Sequence, residues 1–541
     1  MKVSQNWLKS LVEINTTADD LSEKLSIGGF EVESLVDCSE NVKGIVLGKV
    51  LSVVKHENSD KLSICIVDIG SSNPLQIICG AKNIKPNIHV YVATVGAHLS
   101  AINMTIKRSE IRGIQSEGMI CSLEELGVED TSQGIAIINE DLASKHKLGT
   151  SGALLLDLND YIYDLAITAN RPDGMSVVGI AREISALLET KLTFPELKTK
   201  YQINVNKKFE LCPVAISNNC LYSITKISSV KGLELSPQWL KDRLHKSGIK
   251  SINLLVDITN YILLEQGQPL HAFDKDKLSS LIGRDVMPED FSVRKGKDNE
   301  SLLCLNGEKY DLNENVTIVT CDDIPVAVAG VIGGLETAVN DDTTSIFLEG
   351  AVFNPVTVRK SSKEIGIRTE SSSRFEKGIS YKNTLDSVTR AINLIEDYFN
   401  ISNPTINTSM ELINIQNLIP LRRERIHKLL GPLVIKNDDL DNKTKLEKRN
   451  LSDTEITEKL KLIGCTINNK EYGWDVDVIP NRSQDLLREI DLIEEIARLI
   501  GYDMFDLNLP NPIKPGKLST SQIALRKLKT GFIDIGFNEV L

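Results

Sequence analysis

The spacing of hydrophobic and polar positions changes several times along the chain, and each change indicates a different kind of element. Within residues 6–35 the spacing predicts a short amphipathic helix, which Thr17 or Asp19 can cap and Gly28 can end. From about 41 to 150, β-branched runs alternate with Gly, Pro and Asn turns. Several such strands in so short a segment predict a small closed β-barrel.

Helical spacing returns at residues 173–190, and residues 211–400 then mix strands with helices in the manner of an α+β domain. Beyond this domain, the segments 419–431 and 452–465 read as two helices. The charged run 436–450 between them predicts a solvated loop.

Composition narrows the class of protein. The chain has 541 residues, 41% of them hydrophobic, which is enough for several domains with their own cores. A net charge of -12 argues against a generally basic nucleic-acid coat, but not against RNA binding through a few local contacts. The 9 cysteines form no C-x-x-C pair, so we expect buried free thiols and a cytoplasmic location. No apolar run is long enough to cross a membrane.

The segment 480–503 concentrates acidic residues. On a helix over 486–500, one face carries the apolar side chains Leu486, Ile490, Ile493, Ile496, Ala497 and Ile500. Asp491, Glu494 and Glu495 gather on the other side with Arg498, and Asp485 lies at the N-terminal edge. This is either a solvated face with a Glu494–Arg498 pair or a set of oxygen ligands for Mg²⁺. The pattern alone leaves both interpretations open.

Two further residues stand out. Glu349 lies between the apolar runs "IFL" and "GAVF", and an acid in an apolar strand needs a partner. His271 follows a proline in "QGQPLHAFD", where a packing or turn role is the more common one. The chain has no G-x-x-x-x-G-K-[ST] phosphate loop.

Blocks along the chain resemble, in order, the β subunit of bacterial phenylalanine–tRNA ligase. These blocks are "HENSDKLSICIVDIG", "IRGIQSEGMICSLEELGV", "NRPDGMSVVGIAREISAL", "VDITNYILLEQGQPLHAFD", "IFLEGAVFNP", "GIRTESSSRFEKGIS" and "DLIEEIARLIGYD". Because they follow the family's order over almost the whole chain, the sequence is identified as a member of this family.

The resemblance implies a multidomain α+β fold. The implied parts are an N-terminal α/β module at 1–40 completed by 151–200, an inserted oligonucleotide-binding (OB) barrel for tRNA at 41–150, an α+β (B3/B4) editing domain at 211–400, a winged-helix-like (B5) domain at 408–508, and the truncated beginning of a class II synthetase-like catalytic module at 509–541. The family's C-terminal anticodon-binding domain would then be missing.

The resemblance also implies partners and cofactors. An α subunit would hold the ATP-dependent synthetic site, in a heterotetramer of two α and two β chains that charges tRNA(Phe). Mg²⁺ would be bound by Asp485, Asp491, Glu494 and Glu495 together with a group from the α subunit. No membrane is implied, and a DNA role for the winged-helix-like domain would rest on fold analogy alone.

The editing reaction removes tyrosine wrongly joined to tRNA(Phe). An apolar pocket rejects an isostere with one added hydroxyl only about 10²-fold, so a second site that requires the hydroxyl is needed. The resemblance places this site at Thr259, Asn260, His271, Gly330, Glu349, Thr369 and Ser371. Glu349 would accept the tyrosine hydroxyl, His271 and Asn260 would position the terminal adenosine or the attacking water, and Thr369 and Ser371 would line the pocket. Ser371 departs from the alanine that the family often has, which bears on tyrosine selectivity.

Six cations of the predicted barrel are candidate phosphate contacts, with surface solubility as the alternative explanation: Lys43, Lys55, Lys61, Lys107, Arg108 and Arg112. Two other functions remain open. One is a free-standing hydrolase that edits without an α chain, and the other is a tRNA-binding scaffold without catalysis.

Overall fold

The computed structural model describes residues 1–128, 131–205, 221–232, 234–409, 418–438, 444–507 and 516–540. The chain divides into two compact units. The first comprises Met1–Arg423 and Asp453–Leu499, and the second comprises Glu424–Ser452 and Ile500–Leu541. Each helix of the described residues is too short or too polar to cross a membrane.

The N-terminal third is mostly strands. Its elements are β1 (Lys2–Ser4), α1 (Gln5–Lys9), α2 (Ala18–Ile27), β2 (Glu31–Asp37), β3 (Ile45–Lys55), β4 (Ser63–Asp68), β5 (Leu75–Cys79), β6 (His89–Thr94), β7 (His98–Leu99), β8 (Met104–Thr105), β9 (Ser109–Ile111), β10 (Ile114–Ser116), β11 (Gly118–Ile120), β12 (Ile137–Ile138), α3 (Glu140–Ala143), α4 (Gly152–Leu155), β13 (Tyr161–Ala166) and α5 (Val177–Leu188).

The middle of the chain alternates between strands and helices. Its elements are β14 (Gln202–Val205), β15 (Leu221–Ser228), α6 (Gln238–Lys246), α7 (Leu254–Gln266), β16 (Leu270–Asp274), α8 (Lys275–Ile282), β17 (Phe291–Lys295), β18 (Glu300–Leu303), β19 (Lys309–Leu312), β20 (Thr317–Cys321), β21 (Ile324–Val328), β22 (Ile332–Gly333), β23 (Ser345–Val352), α9 (Pro355–Ile365), α10 (Glu370–Lys377), α11 (Tyr381–Glu396) and β24 (Thr405–Thr408).

The last described elements are β25 (Leu418–Arg422), α12 (Arg423–Leu430), β26 (Leu433–Asp438), β27 (Thr444–Arg449), α13 (Asp453–Leu462), β28 (Thr466–Lys470), β29 (Gly473–Asp477), α14 (Glu489–Ile500) and α15 (Thr520–Asp534).

The two ends of the N-terminal third share one sheet, in which β13 lies between β1 and β2. The long segment between them forms a second sheet in the order β11-β6-β3-β4-β5, with β12 also on β6. Its ends approach each other, since the Glu117 amide beside β11 donates to the Gln76 carbonyl of β5 at 2.8 Å. Thr17 caps α2 by accepting from the Asp20 amide, as the polar pattern predicts, and Gly28 ends the helix.

A five-stranded sheet, β14-β24-β15-β23-β16, organises the middle of the chain. One face contributes Leu348 to a core shared with Ile258 of α7 and Val388 of α11. The other face contributes Phe347 to a separate core shared with Val293 and Val319 of the sheet β17-β20-β21-β22. Because side chains alternate along a strand, this second core also receives Tyr222 and Ile224 of β15, Phe273 of β16 and Ala351 of β23.

The predicted free thiols are confirmed for Cys65, Cys79, Cys121 and Cys321, which are all buried and unpaired. Burial raises the pKa of Cys65 and Cys121 to about 12, so neither is a reactive thiolate at neutral pH.

Predictions from the pattern for the last third of the chain are wrong in detail. The predicted helix 419–431 is helical only from Arg423, because Leu418–Arg422 is a strand paired with β29. The charged run 436–450 is not simply a loop. Most of its described residues lie in the hairpin of β26 and β27, where the backbones pair and the charged side chains at 447–449 stay exposed. Its tip, 439–443, lies outside the described residues.

Helix α14 begins at Glu489 rather than at 486, since the Asp491 carboxylate accepts from the Leu487 and Arg488 amides and holds them in a turn. Ile490, which the pattern places on the apolar face of the helix, is 39% exposed. The expected Glu494–Arg498 pair does not form, because Arg498 is buried and pairs with Glu495 and with Glu183 of α5.

Candidate active site

The strand register brings the two most distinctive residues of the sequence together. His271 on β16 lies directly opposite Glu349 on β23 in an antiparallel pair. Directly opposite residues of such a pair have their Cβ atoms about 5 Å apart and project from the same face. That face is the one that carries Phe273 and Phe347 into the second core.

A cavity of about 60 Å³ lies against this face. Four of the predicted editing residues line it: His271, Gly330, Glu349 and Ser371. The remaining walls include Val328, Val331, Ile332, Gly333 and Phe375. This volume is room for a few water molecules, so a ligand as large as an aromatic ring would also occupy the open side of the cavity. The walls are apolar except at the named polar groups.

The Glu349 carboxyl is buried, with 8% of the residue exposed. One of its oxygens, Oε2, accepts a hydrogen bond from the Tyr222 hydroxyl at 3.0 Å. Burial raises the pKa of Glu349 to about 7, although the hydrogen bond from Tyr222 acts in the opposite direction and lowers the pKa. The other oxygen, Oε1, accepts no hydrogen bond from the described residues, so it is the one available to a ligand.

The His271 imidazole is neutral at physiological pH because burial lowers its pKa to about 4. Its ring stacks edge-on against Phe273, with 4.4 Å between ring centroids. Its Nε2 is buried and has no hydrogen-bond partner among the described residues. An unpartnered buried nitrogen is costly, and a polar ligand or water in the cavity would relieve that cost.

Two glycines leave room for these groups. A Cβ on Gly333 would lie 2.4 Å from the His271 ring, so any side chain there would displace the imidazole. Gly330 has a φ of +70°, and a Cβ on it would lie 2.9 Å from Phe375, another wall of the cavity.

The structure places the other predicted residues near the cavity or behind it. Thr369 caps α10, and its hydroxyl donates to the carbonyl of the wall residue Val331 at 2.8 Å. Thr259 and Asn260 lie on α7, outside the cavity lining, and the Thr259 hydroxyl donates to the Val256 carbonyl. Their predicted roles therefore require a ligand that extends beyond the described cavity.

Sequence reasoning missed Tyr222. It stands 127 positions before Glu349 in an ordinary alternating strand, and no local signal marks it. Only the pairing of β15 with β23, which sets Ile224 opposite Glu349, brings the Tyr222 hydroxyl within reach.

We expect Glu349 and His271 to act on stability with opposite pH dependence. Glu349 keeps its proton between pH 4.5 and about 7, where the unfolded chain has lost it, so its contribution to stability falls as pH rises. His271 stays neutral between about 4 and 6.5, where the unfolded chain is protonated, so its contribution rises with pH.

Urea unfolding across this pH range tests the expectation. The stability of Glu349→Gln relative to the wild type should increase from pH 4.5 to 7 by about 3 kcal/mol. The stability of His271→Phe relative to the wild type should decrease from pH 4 to 6.5. If the difference in stability between a variant and the wild type does not change with pH, the group replaced in that variant titrates with the same pKa in the folded and unfolded chain.

The four acidic residues predicted to bind Mg²⁺ do not converge. Arg482 holds Asp485 at 2.7 Å and Glu495 at 2.9 Å. Burial opposes ionisation of Glu495, but Arg498 and Arg482 outweigh it and hold its pKa at about 2. Asp491 pairs with Arg488, and Glu494 faces solvent.

Among the described residues, no three acidic, histidine or cysteine side chains form a group that could hold a metal ion. As arranged, the four carboxylates therefore do not fit a cation, and the magnesium site stays a prediction.

All six predicted phosphate contacts of the segment 41–150 are exposed. Lys43, Lys55 and Arg108 face the acids Glu40, Asp60 and Glu117, and Arg112 donates to the Asn58 carbonyl. These positions are accessible, but none of them identifies a ligand.

Comparison with known proteins gives three matches to family models. They are the putative tRNA binding domain over residues 45–147, the B3/4 domain over 218–400, and the tRNA synthetase B5 domain over 419–502.

Among curated relatives, the phenylalanine–tRNA ligase beta subunits of Prochlorococcus marinus subsp. pastoris and of strain MIT 9312 are 83% and 74% identical over all of this chain. The chain spans 66% of the length of each. Among solved structures, an N-terminal fragment of the phenylalanyl-tRNA synthetase beta subunit from Pyrococcus horikoshii is 15% identical with a TM-score of 0.34, over 63% of this chain and 88% of that one.

Proposed function

Because the chain belongs to the family of phenylalanine–tRNA ligase beta subunits, we propose that it removes tyrosine from mischarged tRNA(Phe) at the His271–Glu349 cavity. In the same proposal it binds tRNA through the module at 45–147, and it supports ATP-dependent charging by an α chain in an α2β2 assembly. The names of the relatives and the tRNA-binding family match support these two roles.

One observation carries the editing proposal: the Glu349 carboxyl is buried in the wall of an otherwise largely apolar cavity, with one oxygen unused. A tyrosine ring fits apolar walls, and its hydroxyl can donate to that oxygen. A phenylalanine ring suits the same walls but leaves the Oε1 atom of Glu349 without a partner among the described residues, which costs about 1–3 kcal/mol. The cognate ester is therefore spared because it binds worse.

The chemistry that follows is attack by water on the ester. His271 lies across the strand pair from Glu349 and, being neutral, its imidazole can both accept and donate a hydrogen bond. The unpartnered Nε2 can accept a hydrogen bond from the attacking water and so orient it, although an imidazole with a pKa of about 4 is a weak base. The proton that the water loses passes to the ribose oxygen of the leaving tRNA. No hydrogen bond joins His271 to Ser371 in the described residues, which favours water over a serine nucleophile. Ser371 instead adds a hydroxyl to the pocket wall.

Purified chain incubated with tyrosyl-tRNA(Phe) and, separately, with phenylalanyl-tRNA(Phe) tests the proposal. We expect the tyrosyl ester to be released much faster, and His271→Ala to slow its release about a hundredfold. His245→Ala, which removes an exposed histidine from α6, is the matched control and should leave the rate unchanged.

Equal release of both esters, or full activity in His271→Ala, would refute the assignment. Binding of tRNA without hydrolysis would support the scaffold function instead.

A further inference from the structure

Helix α10 separates two different surfaces. Ser371 and Phe375, four residues apart and thus on one side of the helix, line the His271–Glu349 cavity. Ser373, Glu376 and Lys377 lie on the other side and line an open groove of about 570 Å³. An α-helix with its side chains is about 10 Å across, so the groove and the cavity are close neighbours.

The groove is strongly basic. Arg359 and Lys363, one turn apart on α9, form one wall, while Arg368 in the following turn and Lys377 at the end of α10 complete it. Among the described residues that line it, Glu376 is the single acid, and it lies 3.9 Å from Arg359. Lys363, Arg368 and Lys377 have no ion-pair partner in the described part of the chain. This excess of cations stands out in a chain whose net charge is -12.

Such a group of cations is suited to phosphates. Its side chains are held on two packed helices and the turn between them, so they converge without needing a ligand to order the backbone. No aromatic residue lines the groove, so base stacking is absent and contacts would be made to the backbone of a nucleic acid, largely independent of sequence.

We infer that the groove of Arg359, Lys363, Arg368 and Lys377 binds the phosphates next to the 3′ end of the RNA whose terminal ester enters the cavity. The inference rests on the proposed function, because an ester in the cavity arrives attached to a single-stranded RNA end, and the groove lies only the width of helix α10 away. The groove would then set the position of that end, while the cavity reads the amino acid.

Direct binding tests the inference without depending on hydrolysis. The probe is an RNA hairpin with a single-stranded 3′ tail, compared with the same hairpin without the tail. Each is titrated with the 541-residue chain and followed by fluorescence anisotropy. For Lys363→Ala/Arg368→Ala/Lys377→Ala we expect about tenfold weaker binding of the tailed hairpin. We also expect the slope of the logarithm of the binding constant against the logarithm of the salt concentration to become shallower by about two. Each lost phosphate contact with a single strand accounts for roughly 0.7 of this change. Binding of the tailless hairpin should not change.

Lys360→Ala is the matched control, since Lys360 is an exposed lysine of α9 that does not line the groove. If the triple variant folds poorly, Lys363→Ala/Lys377→Ala replaces it, because both residues are accessible to solvent. An unchanged affinity and salt slope in the groove variant, or an equal loss in Lys360→Ala, would overturn the inference.

Hydrolysis provides a second readout. In an active chain, the groove variant should raise KM for the tyrosyl ester and leave kcat nearly unchanged, because the groove binds the RNA and does not touch the reacting atoms. If the wild-type chain hydrolyses neither ester but the groove variant binds the tailed hairpin more weakly, the editing proposal is refuted and the phosphate-binding role of the groove stands. A loss of kcat at constant KM would refute the groove.

Discussion

Replacing Glu349 with alanine should lower the rate of tyrosyl-tRNA(Phe) hydrolysis about a hundredfold and remove most of the preference over phenylalanyl-tRNA(Phe). The physical reason is that the cavity recognises tyrosine by a single buried acceptor. Without it, the buried tyrosine hydroxyl has no partner, which costs about 1–3 kcal/mol. The measurement is the ratio of kcat/KM for the two esters. Glu349→Gln keeps the shape and an uncharged acceptor, so it should lose less.

Two further measurements distinguish a loss of tyrosine recognition from a loss of folding in these variants. Tyr222→Phe removes the hydroxyl that holds Oε2 but leaves the carboxyl in place, so it should retain more of the preference than Glu349→Ala. Circular dichroism of all three variants should match the wild type. A Glu349→Ala variant that still prefers the tyrosyl ester would show that another group reads the hydroxyl.

Replacing Arg498 with methionine should lower the free energy of unfolding by about 3–5 kcal/mol. Arg498 is buried between Glu183 and Glu495 and pairs with both. Without Arg498, Glu495 keeps only Arg482 as an ion-pair partner among the described residues. In the same part of the chain, Glu183 keeps only Arg171. The buried group then holds one negative charge in excess in a poorly solvating interior, which is far more costly than the pairs were favourable. Urea unfolding monitored by tryptophan fluorescence measures the change.

The double variant Glu183→Gln/Arg498→Met supplies the control, since it removes one negative charge together with the positive one. It should be more stable than Arg498→Met alone. Lys198→Met, at an exposed pair with Asp397, should change stability by no more than about 1 kcal/mol. Similar losses in Lys198→Met and Arg498→Met would mean that the buried charges are not the cause.

The same buried charges explain why neither interpretation of the acidic segment 480–503 matches the structure. The pattern correctly indicates an amphipathic helix, but it treats every charged residue as either solvated or metal-bound. The structure shows a third arrangement, in which Asp485 and Glu495 neutralise the buried Arg482 and Glu495 also neutralises Arg498. Nothing in the local sequence identifies Glu183, 315 positions away, as a further partner of Arg498.

The sequence by itself determined the local elements and the family. Alternating apolar residues predict the strands that carry Tyr222 and Glu349, capping residues such as Thr17 predict helix ends, and the ordered motif blocks identify the relatives. These features depend on neighbours in the chain, and are therefore visible in a single sequence.

Only the tertiary structure decided which side chains meet. Glu349 faces His271 because β16 pairs with β23 in one register, and a shift by one residue would turn one of them to the opposite face. Tyr222 reaches Glu349 through a second pairing, and α10 carries the cavity on one side and the basic groove on the other. Long-range pairing and packing set these contacts, and no local spacing of residues encodes them.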